Sequence, residues 1–355
     1  MVLEKNNNLF LIFIISFLLT PAADANSKLP VIKTKQNIAN IRYISSDGKY
    51  TYYQRRTGEL YFSSNYEVKE VLKGIEYNHY LVIGSESKKK LIISSWSNFQ
   101  KFLSMREPAT LHIVDYGTHL SQKIGNGISP RLHLNDEWLS FFDPKTKSIL
   151  FQNLIHYEIK LNINLSNTIN HYFIPEVIMP NKTTIIYTDI DKNGIPIVSH
   201  FNIPDQKFSL LYKPETHQTK IELCFLNDHV VIAEFGLDTL NEYSSIKRLA
   251  ITQLENYAQA VNIYESKLND IGNMICHMDK QIYFSKKIKK NATISNYEIA
   301  SLNPDSKEVK IISDLKYAPQ AFPMEDKIII PHRGEFLLLV GKNIEYNDHI
   351  FGGKQ

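Results

Sequence analysis

The chain has 355 residues and a mass of 41.1 kDa, enough for two ordinary domains or one large ring-shaped domain. Hydrophobic residues make up 43% and charged residues 22%, which indicates a globular chain, and 14 Gly and 14 Pro exclude a collagen-like one. The formal net charge is only +3 and the charges are interspersed, so we expect no nucleic-acid partner. With two cysteines, the chain is neither a disulfide-built miniprotein nor a cysteine-rich zinc domain.

Residues 1–25 have the pattern of a secretory signal peptide. Lys5 precedes an apolar run from Leu9 to Leu19, and the triplet Ala23-Asp24-Ala25 follows. The run is shorter than the roughly 20 residues that a membrane-spanning helix needs, although anchoring remains the alternative. We therefore predict cleavage after Ala25 and a periplasmic or secreted mature protein with no membrane span. No cysteine lies near the cleavage site, so we do not expect a lipoprotein.

After the leader, short apolar runs alternate with turns, which is typical of strands. At seven sites an apolar residue and two spacers precede Asp, Asn or Glu, and then a new strand begins. The apolar residues at these sites are Ile44, Ile75, Leu132, Ile178, Cys224, Cys276 and Phe322. From Leu132 onward the sites are 46, 46, 52 and 46 residues apart. A period of roughly 40–50 residues, with about four short strands in each unit, is typical of a β-propeller.

We therefore predict an all-β fold, a single β-propeller domain over residues 26–355 with four-stranded antiparallel blades. Seven blades are expected near residues 40–73, 74–126, 127–168, 169–214, 215–266, 267–315 and 316–355. The N- and C-terminal strands are expected to close the ring, with the last outer strand from Pro30–Gln36 or Asn343–Phe351. Six blades are the alternative count, a sandwich or solenoid is the alternative architecture, and a monomer is the expected state.

Three segments resemble one known family. Ser45–Lys49, followed by Tyr-Thr-Tyr-Tyr, resembles the "S-P-D-G-K" element of TolB-like, WD-repeat-like propellers, and Ser129–Phe141 resembles a longer form of it. Asn303–Ile312 is similar to the last-strand segment of that family. The resemblance covers nearly all of residues 40–340. It implies the propeller part of the family, without the α/β domain that precedes the propeller in TolB.

The sequence contains no compact catalytic motif. It has no Gly-x-Ser-x-Gly nucleophile turn, no Gly-rich phosphate loop and no His-x-His or HExxH spacing. We therefore expect no catalytic residue, metal or cofactor. The sequence leaves a catalytic pair of carboxylates as an open alternative, because the two acids of a glycosidase come from distant strands and have no fixed spacing. Glu176 and Glu222 occupy equivalent places in two units, and a polar rim around the central channel is the favoured interpretation of both.

The candidate binding site is one mouth of the channel, where the innermost strands begin. The polar residues predicted there are Arg42, Arg131, Glu176, Glu222 and Gln320, with His133 beside them. Lone histidines such as His133 are more often hydrogen-bonding groups in loops than metal ligands. The favoured function is an exported, non-enzymatic scaffold of the bacterial cell envelope that binds an unknown protein, peptide or glycan. The alternative is a propeller enzyme, a hydrolase or lyase acting on a glycan or lactone with carboxylates at the mouth.

Cys224 and Cys276 occupy the same position in adjacent units. In an exported protein a disulfide between them would persist. Equivalent residues of neighbouring inner strands, however, usually lie farther apart than the roughly 4.4–6.8 Å that a disulfide allows. The favoured prediction is therefore a pair of small buried apolar residues, with a disulfide as the open alternative.

Overall fold

The computed structural model describes the strands and the ordered turns of residues 31–355, which form one compact unit. The described residues are 31–33, 40–44, 51–54, 60–63, 68–72, 79–85, 89–96, 109–115, 118, 120–165, 174–214, 219–236, 243–250, 260–266, 271–276, 280–291, 294–315, 322–323, 328–332 and 335–340. Side chains are described chiefly between residues 89 and 311. Within these ranges every regular element is a strand, and none of the residues searched there forms a helix able to cross a membrane.

The strands pair into seven four-stranded antiparallel sheets, numbered here along the chain. Sheet 1 contains β2 (Asn40–Ile44), β3 (Thr51–Gln54), β4 (Leu60–Ser63) and β5 (Val68–Leu72). Sheet 2 contains β6 (His79–Ser85), β7 (Lys90–Trp96), β8 (Thr110–Asp115) and β9 (Ser121–Asn126). Sheet 3 contains β10 (Ile128–His133), β11 (Trp138–Asp143), β12 (Ser148–Asn153) and β13 (Ile159–Asn164). Sheet 4 contains β14 (Val177–Asn181), β15 (Thr184–Ile190), β16 (Pro196–Asn202) and β17 (Lys207–Tyr212).

The remaining three sheets repeat this order, with one exception. Sheet 5 contains β18 (Thr219–Leu226), β19 (His229–Gly236), β20 (Ser244–Ala250) and β21 (Val261–Ser266). Sheet 6 contains β22 (Ile271–Cys276), β23 (Ile282–Asn291), β24 (Ile294–Leu302) and β25 (Val309–Leu315). Sheet 7 contains β26 (Phe322–Pro323), β27 (Ile328–His332) and β28 (Glu335–Val340), and its outer position is taken by β1 (Val31–Lys33). The outer strand of this sheet thus comes from the N-terminal candidate segment.

The sheets are arranged as successive blades. Among the first six sheets, the first strand of each sheet contacts the first strand of the next, from β2 through β6, β10, β14 and β18 to β22. Each later strand of a sheet lies beside the one before it. The prediction of an all-β fold with four-stranded antiparallel sheets is confirmed. The number of blades in a closed ring stays a prediction.

The hydrophobic core lies between the blades. Four clusters of buried residues each join two successive sheets, from sheets 2 and 3 to sheets 5 and 6. The sequence of strand β19 is apolar without alternation because both of its faces are buried. Val230 and Ile232 face sheet 4, whereas Val231 and Ala233 face sheet 6. Large side chains such as Phe151 and Phe284 are almost completely buried, and each contributes roughly 1.5–3 kcal/mol by its removal from water.

The recurrent polar turn residues make the tight hairpins between first and second strands. Asn227 and Asp228 have φ values of 49° and 60° and form the two-residue loop between Leu226 and His229. In sheet 4, Asn181 Oδ1 accepts hydrogen bonds from the Thr183 backbone N–H at 2.9 Å and the Thr183 hydroxyl at 2.8 Å. The corresponding turn residues Asp47, Asn78, Asp279 and Glu325 lie outside the described residues.

The prediction of unpaired cysteines is wrong, because Cys224 and Cys276 form a disulfide with a Cα–Cα distance of 5.7 Å. The expected separation was wrong because β18 and β22 are in direct contact, and the Met274 N–H of β22 also reaches Glu222 on β18. The bridge therefore joins the first strands of sheets 5 and 6.

Candidate functional site

An ion pair joins the first strands of sheets 3 and 4. Arg131 lies on β10, and its Nη2 donates a hydrogen bond to Oε2 of Glu176, which directly precedes β14. The backbone of Glu176 is fixed by Thr188 on β15. The Glu176 N–H donates to the Thr188 hydroxyl at 2.8 Å, and the Thr188 N–H donates to the Glu176 carbonyl at 2.9 Å. The carboxylate thus projects from a fixed backbone toward the neighbouring sheet.

A second carboxylate links sheets 5 and 6. Glu222 lies on β18, and its Oε1 accepts a hydrogen bond from the ammonium of Lys220 at 2.7 Å. Its Oε2 accepts the backbone N–H of Met274, on β22, at 2.8 Å. The Lys220 ammonium also lies 5.1 Å from the ring centroid of Phe235. Glu222 therefore has one donor from its own strand and one from the next sheet.

These two pairs form one electrostatic group, called here the inner-strand cluster: Arg131, Glu176, Lys220 and Glu222. Burial raises the pKa of the Glu176 carboxyl, and the negative charge of Glu222 raises this pKa further. The positive charges of Arg131 and Lys220 act against that rise. Arg131 is hydrogen-bonded to Glu176, and β14 contacts both β10 and β18, so the charged residues of sheets 3, 4 and 5 form one group.

Within the inner-strand cluster, the cations are more exposed than the carboxylates. The side chains of Arg131 and Lys220 are 34% and 50% exposed, whereas those of Glu176 and Glu222 are 18% and 11% exposed. The acidic groups thus lie deeper and the basic groups lie nearer to solvent. A molecule that approaches the cluster meets the guanidinium and the ammonium first.

His133 lies on β10 but is turned into the interior, where the residue is only 8% exposed. Its Nε2 is hydrogen-bonded to the Ser140 hydroxyl at 2.7 Å, and its ring centroid lies 6.1 Å from that of Phe151. Burial, and next the positive charge of Arg131, lower the pKa of His133 to about 3. The imidazole is therefore a neutral hydrogen-bonding group of the core.

The other two predicted site residues lie beyond the described side chains. Arg42 is on β2, for which the backbone alone is described, and Gln320 lies outside the described residues. Sequence reasoning did not identify Lys220, although its position two residues before Glu222 on a strand puts both side chains on one face. No local signal identifies Met274, because it contributes only a backbone N–H from another sheet. Among the residues that the structure describes, no three His, Cys, Asp or Glu side chains are grouped so that they could hold a metal ion.

A separate buried carboxylate lies between sheets 4 and 5. Glu234, only 3% exposed, accepts hydrogen bonds from the hydroxyls of Tyr212 and Tyr243 and from the Lys247 ammonium, the last at 2.6 Å. The ammonium also lies 4.6 Å from the ring centroid of Tyr212. Three donors satisfy this carboxylate, so the group joins the two sheets as a buried polar contact.

No protein-family model matches the chain, and no curated protein is significantly similar to it. Among solved structures, the fold is similar to an oligogalacturonate lyase in complex with manganese, with a TM-score of 0.59 and 9% identity over 88% of this chain and 92% of the lyase. It is also similar to a prolyl endopeptidase, with a TM-score of 0.58 and 12% identity over 87% of this chain and 50% of that chain. The tricorn protease gives a TM-score of 0.55 and 12% identity over 82% of this chain and 32% of that chain. At these identities the likeness shows the fold, which is of the β-propeller type.

Proposed function

We propose that this protein is an exported, non-enzymatic propeller scaffold that binds the carboxylate end of a peptide at the inner-strand cluster. The observation that carries the proposal is the meeting of Arg131, Glu176 and Glu222, which come from the first strands of three successive sheets. If these three positions served only to pack the sheets together, apolar residues would suffice there. Export is supported by the Cys224–Cys276 disulfide, because such bonds persist in oxidising compartments.

The exposure of the cations favours an anionic ligand. The guanidinium of Arg131 has five N–H donors in a planar fork, so its bond to Glu176 leaves donors for a second carboxylate. Lys220 offers a second positive charge, and the ammonium has three donors. The mouth thus suits a carboxylate rather than a cation.

The test is a comparison of two labelled pentapeptides that differ only at the C-terminus, one a free acid and the other an amide. We expect at least tenfold tighter binding of the acid, and loss of that preference when Arg131→Ala and Glu176→Ala are combined, with little change in melting temperature. The matched control removes Glu158 and Lys160, an exposed ion pair at the beginning of β13 with side chains 62% and 44% exposed. Equal affinity for both peptides, or undiminished binding by the double variant, would contradict the proposal.

The relationship to TolB-like, WD-repeat-like propellers remains part of the proposal. It is supported by the segment Ser129–Phe141, which runs through β10, the turn at Asn135 and β11. Asn135 has a φ of 51°, the left-handed geometry that the family's turn element provides through its Asp-Gly pair.

A glycan-cleaving enzyme is the second candidate, favoured by the unequal environments of two carboxylates. Burial raises the pKa of Glu176, whereas Glu222 accepts hydrogen bonds from Lys220 and the Met274 N–H. Acid–base cleavage of a glycosidic bond uses two carboxyl groups in unlike environments, one to donate a proton and one to accept a proton or attack the sugar. Oligogalacturonate, named for one structural neighbour, is the first substrate to try. Turnover that both Glu176→Gln and Glu222→Gln abolish would favour this candidate over binding.

A further inference from the structure

We infer that the Cys224–Cys276 disulfide is a positioning element of the inner-strand cluster, which holds Glu222 in place and makes ligand binding depend on the oxidised bond. The expected effect on ligand binding rests on the proposed function. The expected effect on the placement of Glu222 does not, and it can be measured without any ligand.

The disulfide and the hydrogen bond of Glu222 join the same two strands, and on each strand they are two residues apart. Cys224 follows Glu222 by two residues on β18, and Cys276 follows Met274 by two residues on β22. Residues two apart on a strand face the same side. The covalent link therefore lies directly beside the 2.8 Å bond from the Met274 N–H to Glu222 Oε2. Separation of the strands at the cysteines would lengthen that hydrogen bond.

Among the described contacts of Glu222, the one from Met274 reaches across to sheet 6. The second hydrogen-bond partner, Lys220, belongs to β18 itself and moves with that strand. A half-exposed lysine is also a weak restraint, because solvent screens the pair and the side chain must be ordered. The position of Glu222 relative to sheet 6 therefore depends on the distance between β18 and β22.

Reduction of the disulfide should weaken the contact between β18 and β22 without unfolding the blades. The hydrophobic cluster between sheets 5 and 6 surrounds both cysteines and includes Val231, Phe284 and Leu302, whose burial does not require the bond. Both cysteines are half-buried, so a small reductant can reach them. The loss expected on reduction is thus the fixed N–H donor of Glu222 rather than the core.

The effect should extend to Glu176, whose carboxyl is paired with Arg131 and is influenced by the charges of Lys220 and Glu222. The negative charge of Glu222 is one cause of the raised pKa of Glu176. If Glu222 moves away, that repulsion weakens and the pKa of Glu176 falls. A disulfide that merely stabilised the fold would not shift the titration of a carboxyl two sheets from Cys276.

The experiment compares the full chain before and after reduction with a phosphine, and after reoxidation, using mass to confirm the state of the bond. Carbon-detected NMR titration of the two glutamate carboxyls should show a lower pKa for Glu176 on reduction. Affinity for the free-acid pentapeptide should fall by about tenfold, the size expected for loss of one hydrogen bond to a charged group. Reoxidation should restore both. The variant with Cys224→Ser and Cys276→Ser should behave as the reduced protein does.

The control is Glu222→Gln, in which reduction should cause no further change in the pentapeptide affinity. Unchanged titration of both glutamates after complete reduction would overturn the inference. Loss of the near-ultraviolet circular dichroism on reduction would overturn it too, because the bond would then hold the whole fold. If the pKa of Glu176 falls but the peptide binds in neither state, the positioning role stands and the proposed function fails.

Discussion

Acid should destabilise the protein through His133. The folded state lowers the pKa of this imidazole from its ordinary value of 6.5 to about 3, because the ring is buried and lies near Arg131. The unfolded chain regains the ordinary value, so between these two pH values protons bind the unfolded state first. The contribution of His133 to stability is therefore complete above pH 6.5 and is lost as the pH falls toward 3.

The size of the effect follows from the width of that window. Each pH unit between the two pKa values is worth about 1.4 kcal/mol, so the loss between pH 6.5 and 4.5 is about 3 kcal/mol. Urea unfolding at pH 7.5 and 4.5 measures this loss. His133→Asn removes the titrating group, so this variant should lose about 3 kcal/mol less than the wild type when each is compared with its own value at pH 7.5.

Two further features make the comparison selective. Glu176 has a raised pKa in the folded state, so its contribution has the opposite sign and decreases as the pH rises above 4.5, but it is common to both proteins and cancels. His229→Asn, at the turn between β18 and β19, is the matched control and should keep the wild-type pH dependence. Equal losses in the wild type and His133→Asn would refute the argument from burial.

Two other predictions concern the backbone and the leader. Gly127→Ala should cost about 1–3 kcal/mol in urea unfolding, because its Cβ would lie 2.4 Å from Cδ2 of Phe141, and Phe141→Leu should recover part of the loss. Gly194→Ala has open space but a φ of +80°, so its cost of about 1–2 kcal/mol should not respond to Phe141→Leu, and equal rescue of both would contradict the steric explanation. Intact mass from an expressing bacterium should show a mature chain that begins at Asn26; retention of residues 1–25 in the membrane fraction would contradict export.

The sequence by itself determined the strand-and-turn order. Asn135 and Asn227 could be predicted as turn residues because the cause is local: Asn adopts left-handed geometry and bonds its own backbone. Strand β19 could be predicted as buried because its residues are apolar without alternation. Equivalent spacing also put Glu176 and Glu222 at matching positions, each two residues before the repeated apolar site, since one repeated unit places equal positions alike.

Only the tertiary structure decided which of these residues meet. The pairing of Arg131 with Glu176, the Met274 N–H on Glu222 and the bond between Cys224 and Cys276 all cross from one sheet to the next. Their distances depend on how closely neighbouring first strands approach, which the packing of side chains between the sheets sets. Sequence spacing fixes position along a strand, but the separation between strands of different sheets is a property of the packed core.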